Sequence, residues 1–176
     1  LVSSETPGRA KFLDRLGGIL AARQKTDELS KAIAAVTDPN LPAGLGPRGE
    51  RSLPEWWRAS LLEGMARGLI GSADRRALAG SHDTLLTLAT GEQPRLRRAA
   101  VTLLGVSGVE PGAAATAALG RVSQVAGSAG AMAEARVDAI TLLALANAPA
   151  HQKTFESVIA PNEPEAVQIA GVTALG

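Results

Sequence analysis

Pro94-Arg95-Leu96-Arg97-Arg98-Ala99-Ala100-Val101-Thr102-Leu103-Leu104-Gly105 decides the fold. A proline is tolerated in the first turn of a helix. Arg97, Ala100, Val101 and Leu104 then follow at the three- and four-residue spacing of one helical face. The centre of this stretch, Arg97-Arg98-Ala99-Ala100-Val101, has three counterparts. They are Arg58-Ala59-Ser60-Leu61-Leu62, Arg136-Val137-Asp138-Ala139-Ile140 and Gln168-Ile169-Ala170-Gly171-Val172. The successive offsets are 39, 39 and 32 residues. Self-similarity at a period of that size predicts a stacked-repeat architecture.

The segments between these copies read as partner helices. Arg9–Arg23 carries Phe12, Leu13, Leu16, Ile19 and Leu20, which predicts a buried face of large side chains. Thr26–Val36 has Leu29, Ile33 and Val36 on one side. Asp38 onward holds three prolines and three glycines up to Arg51, which predicts an inserted loop over 38–52. Ser52-Leu53-Pro54-Glu55 has the spacing of a capping box. The helix it opens should run to Ile70 and bury Leu61, Leu62, Met65 and Leu69. A short helix is expected over Ser72–Leu78, and another over His82–Thr90 with Leu85, Leu86 and Leu88. Pro94–Val106 should end at Gly105 and Gly108. Pro111–Ala126, Ala131–Ala146 (stopped by Pro149) and His151–Ala160 continue the alternation. Asn162 is the expected cap of the last helix. No segment reads as a strand. The expectation is an all-α, right-handed solenoid of four to five helical hairpins, 1–176, forming one array that is a piece of a longer protein.

Composition narrows the function. Apolar residues make up 45% of the chain but aromatics only 2%, so Ala, Leu and Val must build a core of closely approaching helices. The formal charge is +1, from 18 basic and 17 acidic side chains, so no global field draws nucleic acid or anionic lipid. There is no Cys to form a disulfide, a thiolate metal site or a covalent haem link. No apolar run approaches the ~18 residues that a membrane span needs.

The stretch Pro94–Gly105 resembles the second helix of a HEAT-type repeat: a Pro, a Leu-Arg pair, small residues, then Leu-Leu-Gly. Glu163–Gly176 and Ala135–Leu143 resemble the same helix. A narrower resemblance lies in Arg15–Arg23, Trp57–Leu69 and the stretch ending at Gln168. These are similar to the HEAT-repeat middle region of membrane-bound dehydrogenase-like proteins of planctomycetes and verrucomicrobia. That resemblance implies a sugar-dehydrogenase-like β-propeller before the repeats, a Cys-x-x-Cys-His cytochrome c domain after them, and an extracytoplasmic (periplasmic) location. It carries no catalytic or haem-binding residue into this segment, and no cofactor. The implied role is a non-catalytic scaffold whose partner is a protein or a neighbouring domain of the same chain.

Individual residues refine that expectation. Arg58, Arg97 and Arg136 sit inside apolar stripes, where a guanidinium must be paired. They predict a ladder to a carboxylate or carbonyl of the next repeat, with Gln168 as its neutral end. Trp57 reads as core. Trp56 falls on the other side of the helix, where it either packs beneath the 38–52 loop or anchors a partner. Gly44-Leu45-Gly46-Pro47-Arg48-Gly49 matches Gly-x-Gly-x-x-Gly, but no strand precedes it. His82 and His151 lack any neighbour at metal-ligand spacing and read as residues of helix starts. Arg95, Arg97 and Arg98 form the densest basic group, with Arg75-Arg76 second. Without nearby Tyr or Phe they read as solvated helix ends and not as a nucleic-acid stripe. Two rival functions remain. An enzyme of the DNA-glycosylase or bilin-lyase type would need a cleft with Trp56 beside a buried carboxylate. A nucleic-acid array would need a basic stripe.

Overall fold

The computed structural model describes residues 4–38, 54–70, 78 and 80–176. The described residues are helical, with no strand among them: α1 Pro7–Ala22, α2 Thr26–Thr37, α3 Glu55–Leu69, α4 His82–Ala89, α5 Pro94–Ser107, α6 Ala113–Gly127, α7 Ala133–Asn147, α8 Gln152–Ser157 and α9 Glu165–Leu175. A 3₁₀ turn, Ala148–His151, leads into α8. The 38–52 loop lies outside the described residues apart from Asp38. So do Ser52, the Gly44–Gly49 motif, Arg75-Arg76 and all of the expected Ser72–Leu78 helix except Leu78.

Two rows build the molecule. The odd row stacks α1 on α3, α3 on α5, α5 on α7 and α7 on α9. The even row stacks α2 on α4, α4 on α6 and α6 on α8. Contacts α4–α5, α6–α7 and α8–α9 join the rows. This is the all-α solenoid arrangement that the repeat predicts. A single helix pair could not bury its own apolar face, so each unit is completed by its neighbours. Leu61, Leu62, Leu104, Ile140 and Leu143 are all buried. Leu29, Ile33 and Val36 of α2 are buried, as are Leu85, Leu86 and Leu88 of α4.

α1 differs from its expected orientation. Its buried positions are Leu13, Gly17 and Ala21, while Phe12, Leu16 and Ile19 are exposed. The reason is backbone proximity to α3. A Cβ on Gly17 would fall on the Leu61 carbonyl oxygen, one on Gly64 on the Asp14 carbonyl oxygen, and one on Gly68 on the Gly18 carbonyl oxygen. Only a face without large side chains lets two helices approach this closely. Thr6 caps α1, accepting from the Arg9 N–H at 3.3 Å. Gln24, at φ 52°, makes the left-handed residue of the tight turn into α2.

Several helix ends also depart from expectation. α3 starts at Glu55 with Pro54 as its N-cap. The Glu55 carboxylate leaves its own helix and accepts from the Leu96 N–H at 2.8 Å. It thereby satisfies one of the unpaired N–H groups in the first turn of α5. Gly105 lies within α5, which ends at Gly108 in the left-handed region at φ 89°. Pro164, not Asn162, precedes the first turn of α9. Ile159 is partly exposed, whereas its neighbour Phe155 is fully buried.

Candidate interaction surface

The three repeat arginines make one structural device. Each lies on an odd helix, buried, with one donor on a backbone carbonyl of its own unit and another on an acceptor from the next unit. Arg58 Nε donates to the Val36 carbonyl at 2.5 Å, and its Nη1 to Gln93 Oε1 at 2.9 Å. Arg97 Nη1 donates to the Gly91 carbonyl at 3.1 Å, and its Nε to Asp138 Oδ2 at 2.8 Å. Arg136 Nε donates to the Ala126 carbonyl at 3.1 Å, and its Nη1 to Glu163 Oε2 at 2.5 Å. The carbonyls belong to the ends of α2, α4 and α6 or the turn just after them, where the helix leaves acceptors unpaired and its dipole favours a cation. Gln168 keeps the first donor, from Nε2 to the Glu163 carbonyl at 2.7 Å, and has no guanidinium to hand forward. The ladder expected from sequence is therefore present, with its acceptors identified.

The electrostatics follow the packing. Burial pulls the Arg58 guanidinium below its ordinary value, partly offset by the charge of Glu55. The hydrogen bond from Arg136 holds the Glu163 carboxyl below the usual carboxylate range, against a smaller desolvation effect. Because the folded value lies below the unfolded one, near 4.3, this stabilisation is complete above that pH. It is lost as the pH falls through the folded value. Urea midpoints of wild type and Glu163→Gln should thus differ most at neutral pH and converge as the pH falls below the folded value. A gap that stays constant over that range would contradict the assignment.

Charges on the surface of the odd row are also paired between helices. Arg95 donates to both oxygens of Glu63, at 3.2 and 3.3 Å, and to Glu5 at 2.9 Å. The hydrogen bond to Glu63 is the largest of the effects that raise its pKa. Arg98 approaches Glu134 at 3.3 Å and Asp138 at 3.6 Å, and Arg67 pairs with Asp14. Arg95, Arg97 and Arg98 are therefore not simple solvated ends. Arg97 is buried and the other two bridge neighbouring helices, leaving no unopposed basic stripe among these three.

Toward α9 the surface changes character. A groove of 430 Å³ runs between α7 and α9, lined by Val137, Thr141 and Leu145 on one side and Ala166, Ile169 and Thr173 on the other. Arg98, Val137 and Ile169 share one repeat position, so the same place on successive helices passes from charged to apolar. A second cavity, of 510 Å³, lies between the turn after α4 and the α6–α7 pair, with Val122, Val125, Ala135 and Arg97 in its wall.

Trp56 is 8% exposed, so it packs, and Trp57 is buried beside it. Neither is an exposed anchor in this conformation. Asp138 is the buried carboxylate among the described residues, and it belongs to Arg97. A cleft with Trp56 beside a free carboxylate is thus not formed by the described residues. His82 is buried, and its Nε2 accepts from the Glu110 N–H at 2.8 Å, tying the start of α4 to the connection before α6. His151 stacks obliquely near Phe155, ring centres 6.5 Å apart. Among the described residues no group of three or more His, Asp or Glu side chains is placed to hold a metal ion. No described helix is long and apolar enough to cross a membrane. The inter-unit acceptors Gln93, Asp138 and Glu163 are the residues that sequence reasoning did not single out. No family model matches the chain, and comparisons with curated proteins and with solved structures find no significant match.

Proposed function

We propose that this chain is a non-catalytic helical-repeat scaffold of the HEAT type. In this reading it holds neighbouring modules at a set separation and offers the odd-row surface to a protein partner. The observation that carries the reading is the arginine ladder. Three buried guanidinium groups each join two successive units through directional, charge-assisted hydrogen bonds, which resist sliding and hinging between units. The groove between α7 and α9 supports the second part, since apolar grooves between helices accept amphipathic partner helices. The modules proposed at either side rest on the resemblance alone: a dehydrogenase-like propeller and a cytochrome c domain in an extracytoplasmic protein. No cofactor is assigned to the segment itself.

A spacer must be stiff, and stiffness is measurable. The chain has no native Cys, so Lys11→Cys and Glu165→Cys allow spin labels at two exposed sites, one near each end of the odd row. Electron–electron distance measurements should give one narrow distribution. A broad or multimodal distribution would remove the spacer reading.

A further inference from the structure

One unit of the repeat leaves out a side chain that the others supply. The residue just before each ladder arginine, and before Gln168, is Trp57, Leu96, Ala135 and Val167 in turn. Trp57, Leu96 and Val167 are buried. Ala135 instead lies in the wall of the 510 Å³ cavity between the turn after α4 and the α6–α7 pair. The repeat position that elsewhere holds a larger apolar side chain is thus open here. All the wall residues fall between Ala89 and Ala139, well inside the array.

The wall indicates what the space suits. Its volume lies within the roughly 300–1,000 Å³ of small-molecule sites, and packed helices commonly hold such sites between them. Val122, Val125, Met132, Ala135 and Ala139 give it an apolar surface, with Met132 68% exposed. Arg97 is the buried charge in the wall, and Asp138 meets it at 2.8 Å. Thr90, also in the wall, donates from Oγ1 to the Leu86 carbonyl at 3.1 Å and accepts from Arg121 Nη2 at 3.4 Å. That exposed guanidinium and the exposed wall residue Glu92 are opposite in sign. No net charge remains for a ligand to balance. A charged ligand would lose hydration on entry and gain no counter-charge of its own.

We propose that this cavity binds an uncharged, apolar small molecule of aromatic-ring size, seated where Trp57 and Leu96 fill the equivalent position of the preceding units. Apolar cavities of this kind stay dry and take up uncharged aromatic molecules. The Met132 thioether adds a favourable contact with a ring. A molecule bound there touches the α4 turn, α6 and α7 together, and so adds to the link between two units. This inference stands on the cavity and the repeat position and is independent of the spacer reading.

Indole, the side-chain ring of Trp57, is the probe. Met65 and Met132 are the two methionines of the chain, and Met65 is fully buried on α3, outside the cavity wall. Methyl-labelled methionine therefore gives two NMR signals, one at the cavity and one away from it. Titration with indole should shift the Met132 signal saturably and leave Met65 in place. Tryptamine and indole-3-propionate present the same ring with a positive or a negative charge, and each should bind about tenfold more weakly or worse. Ala135→Leu restores the residue type that Leu96 supplies one unit earlier and should abolish the saturable shift, with circular dichroism to confirm folding. If that variant does not fold, the three ligands on wild type decide. Three results would each overturn the proposal. They are no saturable Met132 shift with indole, a charged derivative that binds as tightly as indole, and a folded Ala135→Leu that still responds.

Discussion

Asp138→Ala is expected to lower the unfolding free energy by about 3–5 kcal/mol, the cost of breaking a buried ion pair by removing one partner. Asp138 is 5% exposed and holds Arg97 Nε at 2.8 Å across the α5–α7 interface. Without the carboxylate, Arg97 keeps only the Gly91 carbonyl as a hydrogen-bond acceptor among the described residues. Its buried charge then has no counter-charge among the described residues. Domains of this size are stable by about 5–15 kcal/mol, so the loss is a large share of the total. The exposed pair offers the control: Glu134→Ala, which breaks the 3.3 Å contact with Arg98, should cost about 1 kcal/mol or less. Replacing both buried partners, Arg97→Met with Asp138→Leu, should cost clearly less than the sum of the two single changes, because no orphaned charge remains. Urea unfolding of wild type and these five variants gives all of these values. Additive costs at Arg97 and Asp138 would show that the pair does not act as a unit.

The second large effect is expected at the α1–α3 crossing. Gly64→Ala should destabilise by about 3 kcal/mol, at the upper end of the range for overpacking. The added methyl would fall on the Asp14 carbonyl oxygen, which is backbone and cannot rotate away. The intrinsic preference of a helix for Ala over Gly, about 1 kcal/mol, is too small to reverse the sign. Gly105→Ala, in the interior of α5, should do the opposite. There the nearest atom to an added Cβ is Leu145 Cδ1 at 3.6 Å, an ordinary contact. The helix preference then acts unopposed, and stability should rise by up to about 1 kcal/mol. Thermal melts of the two variants must therefore move in opposite directions. A stabilised Gly64→Ala would mean that the helices are not in backbone contact.

The contrast between these glycines shows what the sequence could and could not reveal. The repeat was legible because Arg58, Arg97 and Arg136 recur at 39-residue offsets inside apolar stripes, and a buried guanidinium demands a partner. Its partners were not legible, because they follow no common register. Gln93 lies four residues before Arg97, Asp138 two after Arg136, and Glu163 five before Gln168. What these positions share is proximity across a helix interface, and that appears only after the rows stack. The face of α1 was misread for a related reason. Periodicity selects the largest side chains, Phe12, Leu16 and Ile19, as the buried stripe. The packing instead uses Gly17 and Ala21 against Gly64 and Gly68, and the four-residue spacing of those small residues was the available signal. Glu55 was legible as a capping residue but not as the cap of another helix, since that requires α5 to lie against α3.

The arginine ladder is expected to couple successive units into one cooperative body. Stacked repeats otherwise unfold as weakly linked neighbours, with each unit free to melt by itself. The two tryptophans, Trp56 and Trp57, are both on α3 and report that part of the array alone, while far-ultraviolet circular dichroism reports all the helices. The most direct measurement is urea unfolding of wild type and Asp138→Ala followed by both signals. Wild type should show coincident transitions, and cutting the α5–α7 link should separate them, with the tryptophan signal less displaced than the helix signal. Separated transitions in the wild-type protein would contradict it.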